Sequence, residues 1–148
     1  VSRLRALDLL LRPLPLAAVA LLAVNDAWLK PAFHNALTGK LSDVAGCFAF
    51  PFYLAALLGL LAPRLALRAR LLAGGAVTVA LMLAFELSPA AIGAFCAASD
   101  PVAGLFGIHR PCRLTADPSD LWALVMVPLA VFVGLRARPP LLKDQADP

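Results

Sequence analysis

Four apolar stretches, at residues 13–24, 44–62, 71–85 and 121–135, fill most of this 148-residue chain. Acidic residues stand beside each one: Asp26 closes the first, Asp43 opens the second, Glu86 sits near the end of the third, and Asp117 and Asp120 introduce the fourth. A helix crosses the hydrocarbon core with about 20 residues, within a range of roughly 17 to 25. The second and third runs meet that length. The first must recruit residues 9–11 or 27–29, which brings Arg12, or Asn25 and Asp26, to interfacial depth; the fourth takes in Ser119 and Asp120. Backbone groups in lipid must bond within their own helix or in a closed barrel, and no period-two alternation favours a barrel. With hydrophobic residues at 61%, a water-soluble domain this small could not hide its apolar surface. The expected fold is an all-α membrane protein, a four-transmembrane-helix bundle forming a single domain over 1–148, with helices near 9–29, 43–63, 71–89 and 119–136.

Basic residues set the expected orientation. Arg3, Arg5 and Arg12 precede the first span, Arg64, Arg68 and Arg70 fill the second connection, and Arg136, Arg138 and Lys143 follow the last span. Lys30, Lys40, Arg110 and Arg113 fall on the other side. Nine against four places both termini in the cytoplasm and the acidic ends of all four spans outside. The net positive charge then reflects topology and attraction to anionic lipid, and calls for no nucleic acid. The first run lacks a small-residue cleavage site and continues into Asn25-Asp26-Ala27-Trp28, so it reads as a retained span.

Between the third and fourth spans, residues 90–98 are apolar but too short to cross alone, and Asp100-Pro101 and residues 104–107 read as turns. A long outer loop or re-entrant segment is expected there. It carries Cys96 and Cys112, which an oxidising compartment would permit to bridge, although sequence leaves two free thiols equally open. Cys47 lies inside the second span. Pro51 and Pro128 should kink their helices by removing one backbone donor each. Ala55 and Gly59, with Gly74 and Gly75 opposite them across a hairpin, should permit close helix approach.

The polar residues have two readings each. In residues 38–46, Ser42 serves as an N-cap, Asp43 as a first-turn carboxylate and Gly39 as a turn residue; the spacing is not that of a phosphate-binding loop. Asp117-Pro118-Ser119-Asp120 reads as a variant capping box, with Asp117 at the cap and Asp120 at the third helical position. Glu86 is harder to treat as a helix-end device, because an ionised carboxylate inside a span costs at least a few kcal/mol and normally faces a partner, a cavity or water. It lies about 22 Å along its helix, near the outer interface, where Asp26, Asp43 and Asp120 converge and where Lys30, Lys40, Arg110 or Arg113 could neutralise it. His34 and His109 lack metal-ligand spacing, so no metal is expected, and nothing in the sequence names a cofactor. The candidate polar pocket comprises Asn25, Asp26, Lys30, Lys40, Ser42, Asp43, Glu86, Arg113, Asp117 and Asp120.

Asn25-Asp26, Lys30, residues 38–46 and Asp117-Pro118-Ser119-Asp120-Leu121 together resemble a set of small bacterial four-helix integral membrane proteins and, more distantly, the VanZ-like family. VanZ-like proteins carry a Lys, or Asp-Lys, followed by His entering the second span, a Glu before a Gln near the end of the third, and an Arg preceding an Asp that opens the fourth. Lys40, Glu86, Arg113 and Asp120 fall in corresponding places, whereas Asp43, Pro89 and Leu124 stand where that family has His, Gln and Asn. The resemblance implies a bacterial inner-membrane protein linked to the cell envelope. Three functions fit the residues: an outer-face pocket that binds a lipid headgroup, cation or cell-envelope precursor; an intramembrane enzyme acting on a lipid-linked substrate, with Glu86 or Asp120 as acid or base; and a structural partner of another membrane protein. Transport fits less well, since the inward halves of the spans are almost wholly apolar. The expected partners are the bilayer itself and a headgroup or a second membrane protein.

Overall fold

The apolar runs do form helices, and proline and small polar residues decide where each begins and ends. The computed structural model describes residues 8–33, 35–107, 112 and 114–136. Five helical segments follow in order: α1, Pro13–Phe33; α2, Ala36–Leu61; α3, Leu67–Leu87; α4, Pro89–Leu105; and α5, Pro118–Arg136. All but α4 are long and apolar enough to cross a membrane, and no strand occurs among the described residues.

Helix α1 starts at Pro13, because a proline at the first helical turn lacks only an N–H that would have no intrahelical acceptor. Residues 9 and 10 precede the helix as a turn, and Leu9 packs into the core. The helix runs past 29 to Phe33 by widening: Asn25–Leu29 winds as a π turn, with the Lys30 N–H bonded to the Asn25 carbonyl. Pro31 follows at once, and its ring would crowd the carbonyl four residues back in a regular helix. The wider turn relieves that crowding and lets the chain stay helical.

Helix α2 begins at Ala36 rather than near 43, which corrects the expected start of the second span. Asn35 is the N-cap; its side chain accepts the Thr38 N–H at 3.0 Å, while the Thr38 hydroxyl donates to the Asn35 carbonyl at 2.8 Å. With that cap in place, Gly39, Lys40, Ser42 and Asp43 are all interior helical residues, so Ser42 caps nothing and Gly39 makes no turn. Helix α3 likewise starts earlier, at Leu67. Its end passes directly into α4 through Ser88, whose side chain accepts the Ala91 N–H and whose successor, Pro89, opens the new helix. The segment expected as a long loop or a re-entrant segment is therefore largely helical. Asp100 and Pro101 lie inside it; the carbonyl that Pro101 leaves without a donor belongs to exposed Ala97, where the surroundings can bond it. The turn comes afterwards, at Gly107, whose φ of 74° is a conformation that glycine adopts without strain.

Helix α2 is the hub. Helices α1, α3 and α5 each pack on it, α3 and α5 also pack on one another, and α4 rests only on α3, with Phe85 and Phe95 ring centroids 5.1 Å apart. The main core joins Phe48, Phe52 and Ala55 of α2 to Leu71 of α3, Ala130 of α5 and Leu9. Gly74 sits against the α2 backbone: a β-carbon there would meet the Pro51 carbonyl oxygen at 2.7 Å. Gly75, expected to face the same helix, instead meets Val127 and Val131 of α5, because adjacent residues on a helix point about 100° apart. Large apolar side chains such as Val19, Tyr53, Leu72, Val77 and Phe132 cover the outside of the bundle. That outward-facing apolar surface suits hydrocarbon rather than water.

Helix α5 opens as a 3-10 helix over Pro118–Val125 before relaxing to α over Met126–Arg136. The tight winding places the Met126 N–H on the Ala123 carbonyl and ends three residues before Pro128, which could not have donated to an α-helical carbonyl at Leu124.

Candidate functional site

Alternating helix direction brings the outgoing end of α1, the start of α2, the end of α3 and the start of α5 together at one end of the bundle. The polar residues meet there. Asn25, at the start of the π turn, is wholly buried; its amide nitrogen donates to the Thr38 carbonyl at 2.6 Å and to the Ser42 hydroxyl at 2.7 Å. The Ser42 hydroxyl in turn donates to the Asp26 carboxylate at 2.8 Å, and Asp26 pairs with Lys30, one helical turn on, at 2.8 Å. The side-chain oxygen of Asn25 has no hydrogen-bond partner among the described residues. A buried acceptor of this kind costs free energy until a donor reaches it.

The second half of the site links α2 and α3 to α5. Lys40 donates to Asp120 at 2.7 Å and to the Ser119 hydroxyl at 2.8 Å, across 80 positions of sequence. Glu86 accepts the Asp117 N–H at 2.5 Å. Asp117 is the N-cap of α5, as its sequence suggests, and accepts the Ser119 N–H at 2.9 Å. The remainder of the expected capping box is corrected. The carboxylate that returns to the cap N–H is Glu86 of a neighbouring helix, while Asp120 turns away to Lys40. A carboxylate on the longer glutamate stem, approaching from α3, takes the role that Asp120 would have filled. Bonds from Ser119, side chain first and backbone second, hold the Asp117 carboxyl below the usual carboxylate range, and the Lys40 charge adds to the effect.

Asp43 sits between these halves, against Asp120 and within electrostatic reach of Glu86 and Lys30. Asn25, Asp26, Lys30, Lys40, Ser42, Asp43, Glu86, Asp117 and Asp120 thus share one end of the bundle. Arg113, expected among them, lies outside the described residues, as do Arg110, His34 and His109. Sequence reasoning missed Asn35, Thr38 and Ser119 as members of this polar end. Asn35 could have been found as an N-cap three residues before Thr38, a spacing that suits the reciprocal bonds it makes.

Carboxylates at this end, Asp26, Asp43, Glu86, Asp117 and Asp120, outnumber the ammonium groups of Lys30 and Lys40 among the described residues. The arrangement is rich in acceptors and suits a ligand that brings N–H or O–H donors. No three ligating side chains among the described residues are arranged to hold a metal ion. Beyond the cluster, Cys96 of α4 is disulfide-bonded to Cys112, whose N–H also donates to the Asp100 carboxylate at 2.8 Å, so the chain after α4 is tied back to that helix. Cys47 is a buried free thiol.

No family model, curated protein or solved structure matches this chain. The fold on its own gives the coarse class: four helices long and apolar enough to cross a membrane, as a multi-pass membrane protein has.

Proposed function

We propose that this protein holds the polar headgroup of a lipid, or of a lipid-linked envelope precursor, at the acidic end of its bundle. The headgroup is one that carries a primary amine. The observation that carries this reading is Asp43, which has acidic neighbours in Asp120 and Glu86, while Lys30 is paired with Asp26 and Lys40 with Asp120. An ammonium group would relieve repulsion among these carboxylates, and the unpartnered Asn25 oxygen offers a further acceptor. In this reading the site faces outward from a bacterial inner membrane with both termini cytoplasmic, following the basic residues at the chain ends and in the connection between α2 and α3. The polar positions shared with VanZ-like proteins fit the same envelope setting.

Full-length protein in detergent, titrated with phosphatidylethanolamine and phosphatidylcholine and read by native mass spectrometry, tests the proposal. Choline carries the same charge but no N–H. Wild type should retain the ethanolamine lipid preferentially, and Asp43→Asn should weaken that retention roughly tenfold while the protein stays folded. Equal retention of the two lipids by wild type would rule the reading out. The Lys40–Asp120 bridge and the Glu86 contact to α5 favour a second reading, in which the polar residues only fasten helices together. That reading gains if Asp43→Asn lowers thermal stability and leaves lipid retention unchanged.

A further inference from the structure

The end of the bundle opposite the acidic cluster holds a different feature. Helices α1 and α5 both pack on α2 but not on each other. The wedge between them is a cavity of about 400 Å³, walled by Leu14 and Pro15 of α1, Phe132 and Val133 of α5, and Phe52 of α2 at its back. Its lining is apolar except at the rim, where Arg12 and Arg136 stand. Arg12 is the N-cap residue of α1 and Arg136 the last residue of α5, so the two belong to the same bundle end. The Arg136 guanidinium lies 4.1 Å from the centroid of the Phe132 ring, which keeps it over the cavity wall instead of extended away from the bundle.

From this juxtaposition we infer that the wedge is a binding site for an anionic phospholipid, with an acyl chain between α1 and α5 and the phosphate at Arg12 and Arg136. An open, apolar slot on the lipid-facing side of a bundle is filled by a hydrocarbon chain at no cost in lost hydrogen bonds. Two guanidiniums at its mouth select among lipids by charge, since each is always protonated and binds phosphate oxygens in a fixed fork. Basic pockets between spans at the positively charged face recognise anionic headgroups in this way. The site is independent of the acidic end: it uses no residue of that cluster, lies at the other end of the spans and takes a headgroup of opposite charge.

The test uses the full chain in detergent and native mass spectrometry with phosphatidylglycerol, phosphatidylcholine and glycerol 3-phosphate as probes. Wild type should retain phosphatidylglycerol over phosphatidylcholine, and should not retain glycerol 3-phosphate, which lacks the acyl chains. The R12Q/R136Q variant should lose roughly tenfold or more in phosphatidylglycerol retention, down to the phosphatidylcholine level. Leu14→Trp, at a position 56% exposed, fills the slot without touching the core and should weaken phosphatidylglycerol although both arginines remain. Neither variant should change retention of phosphatidylethanolamine, and Asp43→Asn should leave phosphatidylglycerol unaffected, so failure here is separable from failure at the acidic end. Equal retention of phosphatidylglycerol and phosphatidylcholine by wild type would overturn the inference. So would undiminished phosphatidylglycerol binding by either R12Q/R136Q or Leu14→Trp, or retention of glycerol 3-phosphate equal to that of the lipid.

Discussion

At Asn25 a single buried amide joins α1 to α2, and its two ends are treated differently. The nitrogen has two acceptors and the oxygen none, so replacement separates the part that binds helices from the part that awaits a ligand. Asn25→Leu should cost about 1 kcal/mol of stability, the net worth of a hydrogen bond in a buried setting, because the lone oxygen it removes offsets some of the loss. Asn25→Asp should cost more, since an ionised carboxylate has no donor for the Thr38 carbonyl and sets acceptor against acceptor. Unfolding in mixed micelles with increasing dodecyl sulfate measures both; an aspartate variant as stable as wild type would contradict this account. Sequence alone reached Asn25 and Asp26 as pocket residues, because polar side chains at the mouth of an apolar helix are conspicuous. It also included Ser42 in the pocket, but not Thr38, whose carbonyl takes part only because α2 begins at Ala36, upstream of the more obvious Ser42 and Asp43.

For whole elements, what sequence conveyed was the existence and order of the spans, and what it missed was where small polar residues extend a helix beyond its apolar run. The segment after Ser88 is the clearest example. Its Asp-Pro and glycine signals read as turns, yet a serine cap, a proline at the first position and alanine-rich composition make it helical as far as Leu105. Helix contacts were partly readable as well. Gly74 was expected against α2, and the approach there is close enough that a methyl group would collide with backbone rather than with a side chain able to move. Gly74→Ala should therefore destabilise the bundle by about 1 to 3 kcal/mol, the usual range for overpacking. Gly75→Ala, which meets only the methyl groups of Val127 and Val131, should cost less. The same micelle unfolding assay ranks the two, and a Gly75→Ala variant less stable than Gly74→Ala would reverse the assignment of their neighbours.

Across the whole molecule the basic residues predict an orientation that the acidic end and the arginine-rimmed wedge both depend on. In a Cys47→Ala background, with Cys96 and Cys112 left bridged and unreactive, single cysteines at Leu65 and Thr115 report on opposite ends of the bundle. An impermeant maleimide applied to intact cells should label position 115 and spare 65. The opposite pattern would invert the bundle and place the acidic end in the cytoplasm. The central position of α2 has a further consequence for how the protein is made. Helix α1 docks only on the span synthesised next after it, α3 docks on α2, and α5 is accepted last by both α2 and α3. Each span thus finds its neighbours already present or arriving next, and a ribosome can deliver the bundle in the order in which it assembles. Until α5 emerges, however, Lys40 lacks Asp120 and Glu86 lacks the Asp117 amide. A nascent chain halted before residue 117 would carry that lysine and that glutamate into the membrane without those partners, and quality-control proteases that recognise stray charge in lipid would meet it at that moment.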